Sequence, residues 1–308
     1  MLENQMQARG LLNEDQIKQL RAQCQNVMAQ AVAELTEPAD KGKRRIRPEL
    51  WPSEDFVDVG IRGDLAELKG CDTLEEIGCT QTLVKSKFID AVANVMNRRM
   101  ETDDSIVVMG EDIHRLKGGT NGATKGLKER FPERTLGTPI SENAFMGLGG
   151  GIAVDGRFKP VVEFMYPDFM WVAADQVFNQ IGKARHMFGG QSDVPLVLRT
   201  KIAMGTGYGS QHSMDPAGIF VTNPGWRIVA ASTPFDYIGL MNFALTCKDP
   251  VLMIEHVDLY GKSGQVPEGQ LDYQIPFGQA AVRREGQALT ILTYFSMVDH
   301  SLEAVAQT

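Results

Sequence analysis

The stretch TLGTPISENAFMGLGGGIAVDGRFKPVVEF, residues 135–164, contains the alternation that decides the fold. Pro139 and Ser141 precede an apolar helical stretch, which places Glu142 in the first turn of a helix. The apolar run Val161 to Phe164 then has the length and composition of a short buried strand. A helix that leads into a buried strand is the repeating unit of sheets whose strands run parallel.

The same alternation continues on both sides of this stretch. Apolar residues recur at four-residue steps between residues 81 and 100, at Val84, Phe88, Val92 and Met96, and predict a helix there. Short apolar runs predict further strands at Ile106–Met109, Val194–Leu198, Ile228–Ala231, Val251–Ile254 and Leu289–Tyr294. The sequence therefore predicts an α/β fold with a mainly parallel sheet flanked by helices. Such sheets bind ligands at the carboxyl ends of their strands, which directs attention to the loops after Met109, Thr138, Phe164 and Thr200.

The N-terminal region has a different character. Asn13 followed by Gln16 resembles a capping box, and an apolar stripe from Ile17 to Leu35 predicts one long amphipathic helix. Residues 40–52 carry five basic side chains and two prolines, and they are typical of an extended connector. An anionic partner for this basic run is the alternative to a solvated linker.

Length and composition limit the classes of function. A chain of 308 residues has room for about two domains, so a small disulfide-stapled scaffold is excluded. The net charge of −8 argues against a nucleic-acid partner, and no apolar run has the length of a membrane span. The four cysteines have no CxxC spacing, which makes a zinc site improbable and favours reduced packing residues. We expect no metal ligands in this chain and a cytoplasmic setting.

Three local patterns are candidates for function. The glycines from Gly147 to Gly151 do not fit a dinucleotide fingerprint, and small residues in a helix more plausibly let two elements approach closely. Glu142 at a helix start can serve chemistry or can simply complement the helix dipole. His212 lies in the glycine-rich run GYGSQHSMDP, residues 207–216, where a histidine can act as a general acid or base or as a structural donor.

Several longer runs carry a resemblance to a known family. They are VVMGEDI (107–113), TKGLKERFP (124–132), TPISENAF (138–145), VVEFMYPDFMWVAADQVFNQ (161–180), GSQHS (209–213) and PFGQAAV (276–282). Together they resemble the beta subunit of the thiamine-diphosphate-dependent 2-oxo acid dehydrogenases, the decarboxylating component of those complexes. GLLNEDQIKQL and ELWPSEDFVDV, further upstream, resemble the tail of the family's alpha subunit.

The resemblance implies a division of the chain into three parts. Residues 1–80 would be the helical tail of an alpha-like half with a linker, residues 81–265 a transketolase-like pyrimidine-binding domain, and residues 266–308 the start of a truncated C-terminal domain. The family's GDG motif is absent, so the diphosphate and Mg²⁺ would be held by an alpha-like half outside this chain.

The resemblance also implies roles for five residues. Glu142 matches the glutamate that hydrogen-bonds ring nitrogen N1′ of the aminopyrimidine and moves a proton to it, and Phe169 matches the aromatic residue that stacks on that ring. Glu111 matches a carboxylate in the channel between paired active sites. His212 matches a loop histidine that serves acyl transfer, and Gln211 would orient that loop.

The implied activity is oxidative decarboxylation of a 2-oxo acid, with pyruvate favoured and with acyl transfer to lipoamide. The implied partners are an alpha-like half, a lipoyl-bearing acyltransferase core and further copies of the chain, and the isolated fragment would be inactive. Branched-chain 2-oxo acids or acetoin are alternative substrates, because the sequence departs from the family at Met170–Val172 and Met204–Gly209. A non-catalytic subunit that only binds the core is the alternative from another class.

Overall fold

A computed structural model describes residues 2–51, 61–63 and 66–307. Its contacts divide the chain into two compact units, Met1–Val57 and Asp58–Thr308. We describe each unit by itself. The upstream run ELWPSEDFVDV lies mostly outside the described residues.

The first unit consists of helices α1 (Leu2–Ala8) and α2 (Glu14–Leu35) and strands β1 (Thr36–Pro38) and β2 (Arg44–Ile46). The predicted capping box is confirmed, since the Asn13 side chain accepts a hydrogen bond from the Gln16 N–H at 2.8 Å and Gln16 returns one at 2.9 Å. The prediction that residues 40–52 form an entirely extended connector is wrong, because β2 pairs antiparallel with β1. The cause is a set of cross-strand contacts, in which Arg45 pairs with Glu37 and Arg44 donates to the Thr36 hydroxyl.

The second unit carries eight strands and eight α-helices within its described residues. The strands are β3 (Leu83–Lys87), β4 (Ile106–Glu111), β5 (Thr135–Thr138), β6 (Lys159–Phe164), β7 (Val197–Ile202), β8 (Arg227–Ala230), β9 (Val251–His256) and β10 (Ser263–Pro267). The helices are α3 (Phe88–Thr102), α4 (Leu127–Arg130), α5 (Glu142–Asp155), α6 (Ala184–Met187), α7 (Ala217–Thr222), α8 (Pro234–Ala244), α9 (Val257–Tyr260) and α10 (Ser296–Ala306). Strands β4 to β9 form a six-stranded parallel sheet in the order β5-β4-β6-β7-β9-β8, as the sequence predicted.

Two predicted elements differ in the structure. The helix predicted from residue 81 begins only at Phe88, because residues 83–87 pair antiparallel with β10 as a separate two-stranded ribbon. The strand predicted at Leu289–Tyr294 is wrong, since those residues have no regular structure and Leu292 is 86% exposed. A strand needs a hydrogen-bonding neighbour, and none of the described residues supplies one there.

The glycines of α5 allow the helix to lie close to the sheet, as predicted. A Cβ on Gly149 would lie 2.6 Å from a methyl group of Val162 in β6. A Cβ on Gly150 would lie 2.7 Å from Ile181, so a second neighbour also requires the absence of a side chain. This close packing fixes the height of Glu142, the first residue of the helix, above the end of the sheet.

A buried charged network joins the three central strands. Arg199 of β7 donates to Glu255 of β9 at 2.8 Å and to Glu163 of β6 at 3.1 Å, and all three side chains are buried. The hydroxyl groups of Tyr237 and Tyr260 also donate to Glu255. Burial alone would lower the pKa of Arg199, but the charge of Glu255 and its neighbours raises that pKa well above its ordinary value.

Candidate active site

The carboxyl edge of the parallel sheet brings the candidate residues to one side of the second unit. Strands β5, β4, β6 and β7 are neighbours, and their ends lead into the segments that carry Glu142, Glu111, Phe169 and His212. Glu111, the last residue of β4, is in register with Thr138, the last residue of β5. Four of the candidate residues therefore lie at or after the ends of these strands, where the sequence directed attention, and their roles stay predictions.

Glu111 and Glu142 lie close together. Glu142 is 6% exposed and opens α5 directly after Ser141, as the sequence predicted. Burial, together with the charge of Glu142 and a hydrogen bond to it, raises the pKa of Glu111 to about 7. Two carboxyl groups this close cannot both be ionised without strong repulsion, so a proton is favoured on the pair near neutral pH.

The position of Glu111 depends on the glycine before it. Gly110 lies in β4 so close to β6 that a Cβ there would be 2.7 Å from the Glu163 carbonyl oxygen. A residue with a side chain would push the two strands apart at the point where Glu111 leaves the sheet. The glycine of the GED run therefore sets where this carboxylate stands.

His212 lies among aromatic rings from two segments. Its ring centroid is 4.6 Å from Tyr166 and 5.5 Å from Phe169, which follow β6, and 5.9 Å from Tyr208 of its own loop. We call these four residues the His212 cluster. Asp168 joins the same two segments, because its carboxylate accepts a hydrogen bond from the Met214 N–H at 3.3 Å.

The structure thus groups four of the five predicted site residues into two pairs. Glu111 lies with Glu142, and Phe169 lies with His212. Gln211, the fifth, is exposed and precedes His212 in the short helical turn Ser210–His212.

Sequence reasoning missed Tyr166, Tyr208 and Lys201. The Nζ of Lys201 lies 5.0 Å from the centre of the Tyr166 ring. One signal was available, since Arg199 and Lys201 place two basic side chains on the same face of an otherwise apolar strand. The aromatic contacts had no such signal, because they depend on how the loop after β7 folds back.

Several buried polar atoms at this edge have no protein partner. They are Glu111 Oε1, Thr138 Oγ1, Thr200 Oγ1 and His212 Nδ1. Buried polar atoms in folded proteins nearly always have a hydrogen-bond partner, so unpaired ones at a loop edge indicate where a polar ligand or water binds. The donor and acceptor set of carboxyl, hydroxyl and imidazole groups suits a heterocycle with ring nitrogens.

Comparisons with known proteins agree with this fold. Residues 85–262 match the family model described as transketolase, pyrimidine binding domain. The chain is 41% identical over 225 residues to the beta subunit of acetoin:2,6-dichlorophenolindophenol oxidoreductase from Cupriavidus necator, covering 70% of this chain and 66% of that protein. It is 38% identical over 219 residues to the 2-oxoisovalerate dehydrogenase subunit beta from Bacillus subtilis, covering 70% of this chain and 66% of that one. It also resembles a solved structure titled split gene transketolase, inactive beta4 tetramer, with a TM-score of 0.57, 20% identity and coverage of 71% and 65%.

The chain therefore belongs to the family of transketolase pyrimidine-binding domains, in the beta-subunit type of the thiamine-diphosphate-dependent 2-oxo acid dehydrogenases. It spans 66% of the length of the two curated relatives named above. Thiamine diphosphate is the cofactor of this family, and the unpaired atoms Glu111 Oε1 and His212 Nδ1 fit a polar ligand at this edge.

One group of possible metal ligands occurs within the described ranges, formed by Glu67, Cys247 and Asp249. Both oxygens of Asp249 already accept hydrogen bonds from arginines, one from Arg62 at 2.6 Å and the other from Arg227 at 2.8 Å. Burial raises the pKa of the Cys247 thiol to about 11, which disfavours the thiolate that binds metals. These contacts explain the cluster as an ion-pair network.

Within the described ranges, none of the helices combines the length and apolar character needed to cross a bilayer.

Proposed function

We propose that this chain is the beta-type half of a 2-oxo acid dehydrogenase that decarboxylates a 2-oxo acid, pyruvate first, and passes the acyl group to lipoamide. The observation that carries the proposal is the close pair of Glu111, which is half-buried, and Glu142, which is buried, at the carboxyl edge of the sheet. Bound thiamine diphosphate supplies the carbon nucleophile and the electron sink for loss of CO₂.

The carboxyl pair suits proton transfer to and from a ring nitrogen. Glu142 is buried at the start of α5, and a group that exchanges protons must be shielded from competing water. Glu111, with a pKa of about 7, exchanges its own proton readily at neutral pH and would resupply Glu142 through their contact. We propose Glu142 as the residue that binds the pyrimidine and Glu111 as its proton-relay partner.

The His212 cluster suits the second half of the reaction. Phe169 is partly buried and offers a ring for stacking on the pyrimidine, as the resemblance implies. His212 stands on a loop that starts from the end of β7, so an imidazole can reach an acyl group presented from solvent. We propose that His212 supplies or positions a proton during acyl transfer and that Gln211 orients its loop.

The proposed assembly rests on the resemblance to the family. In that family a GDG motif of the alpha half holds Mg²⁺ and the diphosphate, so we propose that an alpha-like half, in the same polypeptide or in a partner, binds them here. We propose that residues 1–80 are the tail of such a half and its linker, residues 81–265 the pyrimidine-binding domain, and residues 266–308 the start of a C-terminal domain. A lipoyl-bearing acyltransferase core and further copies of the chain complete the proposed set of partners.

Acetoin is the second candidate substrate. The observation in its favour is the 41% identity to the acetoin:2,6-dichlorophenolindophenol oxidoreductase beta subunit. The two segments at which the sequence departs from the resemblance, Met170–Val172 and Met204–Gly209, follow β6 and β7 at the same edge; Met170 is buried, whereas Trp171, Val172 and the loop residues 204–209 are exposed.

The test uses holoenzyme assembled from this chain and an alpha-type half that carries the diphosphate motif. Pyruvate, 2-oxoisovalerate and acetoin are compared as substrates by initial rates with the same acceptor.

Glu142→Gln is expected to lower turnover on the preferred substrate by at least 100-fold, because the amide cannot exchange the proton. Glu129→Gln is the control, since Glu129 is exposed and outside the site. Full turnover in Glu142→Gln would refute the assignment, and holoenzyme that binds the core but decarboxylates none of the three would favour the assembly role.

A further inference from the structure

Lys201 is a buried amine beside the candidate site. Its side chain is 3% exposed and projects from β7, where the residue is in register with Glu255 of β9. Among the described residues, its Nζ has no hydrogen bond or ion pair, and its one close polar contact is the face of the Tyr166 ring, 5.0 Å away. A buried lysine without a paired anion is unusual, because transfer of a charge out of water is costly.

The charged layer beneath Lys201 explains why an ammonium is tolerated there. Arg199 lies two residues earlier on the same face of β7, and it binds the carboxylates of Glu163 and Glu255. Two carboxylates and one guanidinium leave one negative charge, which a protonated Lys201 balances. Burial lowers the pKa of Lys201 and the charges of Glu163 and Glu255 oppose that shift.

Tyr166 connects this charge to the candidate site. The Tyr166 ring faces Lys201 and also lies 4.6 Å from the His212 ring. An ammonium over an aromatic face is attracted to the ring and stabilises its position, most strongly when water is excluded. Lys201 therefore holds the Tyr166 ring from the side of the sheet, and that ring supports the imidazole of His212 on the side of the loop.

We propose that Lys201 is a positioning residue for His212, acting through the ring of Tyr166. The contacts that carry this inference are independent of the reaction, while the consequence for acyl transfer rests on the proposed function. Lys201 is within about 10 Å of the His212 ring, since the two steps through Tyr166 measure 5.0 and 4.6 Å.

The primary test reads His212 directly, by nitrogen-edited NMR of the imidazole groups of the intact chain at one fixed pH. His212→Gln identifies the signal among the five histidines. Lys201→Met is expected to move the His212 ring signals, because the Tyr166 ring loses its support.

Two further variants separate positioning from plain packing. Lys201→Arg keeps a cation over the ring and is expected to restore the His212 signals toward their original positions. Lys85→Met removes an exposed lysine from β3 and is expected to leave the His212 signals unchanged. Unchanged His212 signals in a folded Lys201→Met chain would overturn the proposal, and so would equal changes in Lys201→Met and Lys201→Arg.

A variant at Tyr166 tests the proposed link if Lys201→Met does not fold. Tyr166→Leu keeps the lysine and removes the ring that links it to His212, so the His212 signals are expected to lose their ring-current shift. Their retention would overturn the proposed link.

In holoenzyme, Lys201→Met is expected to lower kcat for acyl transfer about tenfold with KM for the 2-oxo acid unchanged. Holoenzyme that is inactive with every variant, while the His212 signals respond as expected, would count against the proposed function alone.

Discussion

At the scale of single residues, Glu111 gives a pH-dependent prediction. Its pKa is raised to about 7 from an ordinary value of 4.5, so ionisation of Glu111 costs folding stability as the pH rises from 4.5 to 7. Glu111→Gln removes that cost. The free energy of unfolding gained by the variant is expected to be larger at pH 8 than at pH 5 by about 1 to 2 kcal/mol, after allowance for partial solvent exposure. Urea unfolding of both chains at the two pH values measures the difference.

The matched control for this prediction is Glu129→Gln, which replaces an exposed glutamate. Its effect on unfolding should be small and equal at the two pH values. If Glu111→Gln shows the same gain at pH 5 and pH 8, the carboxyl of Glu111 does not titrate between them and the proposed relay loses its support.

The same scale shows what the sequence could and could not predict about the site. Glu142 at a helix start followed from Pro139 and Ser141, because helix N-terminal signals are local. The contact between Glu142 and Glu111 did not follow from any local rule, since 31 positions separate them and only the pairing of β4 with β5 brings them together. The resemblance supplied both residues separately, and the structure supplies their contact.

At the scale of elements, the packing of α5 on β6 gives the next prediction. Gly149→Ala places a methyl group 2.6 Å from Val162, and relief of that overlap is expected to cost about 1 to 3 kcal/mol of unfolding free energy. Gly151→Ala is the control on the same helix, because nothing lies within 4 Å of its added methyl group. That variant is expected to gain about 0.5 to 1 kcal/mol from helix propensity. Thermal or urea unfolding of the two variants measures the expected loss of stability in Gly149→Ala and the expected gain in Gly151→Ala.

Equal stabilisation in the two variants would mean that α5 can move away from the sheet without cost. The position of Glu142 would then not be set by the glycines. Loss of stability in both variants would mean that α5 requires glycine for its backbone conformation rather than for close approach to β6.

The sequence predicted strands correctly where the strand is buried on both faces of the sheet. The strands β4, β6 and β9 are buried along most of their length, and a buried strand in a parallel sheet has the continuous apolar run that the sequence shows. The same rule failed at Leu289–Tyr294, where an apolar run has no neighbouring strand among the described residues. It failed in a different way at Val84, where one apolar residue at a four-residue step belongs to a two-stranded ribbon rather than to α3. Periodicity reports which residues prefer burial, and pairing partners decide what structure they adopt.

At the scale of the whole second unit, the charged network of Arg199 joins the strands on which both halves of the site stand. Strand β6 leads to Phe169, β7 leads to His212, and β9 supplies Glu255 as the second anion.

Arg199→Met would leave Glu163 and Glu255 buried without their cation, and removal of one partner from a buried ion pair costs about 3 to 5 kcal/mol. The loss is expected in the global unfolding transition, because the three central strands share the network. Calorimetric unfolding at neutral pH measures it, with Arg157→Met as the control, since Arg157 pairs with Asp155 on the surface and contributes at most about 1 kcal/mol. If the Arg199 variant unfolds at the original temperature, water or a shared proton neutralises the two carboxylates. In that case Lys201 would also have no charge to balance, and its proposed role through Tyr166 would have to rest on the ring contact alone.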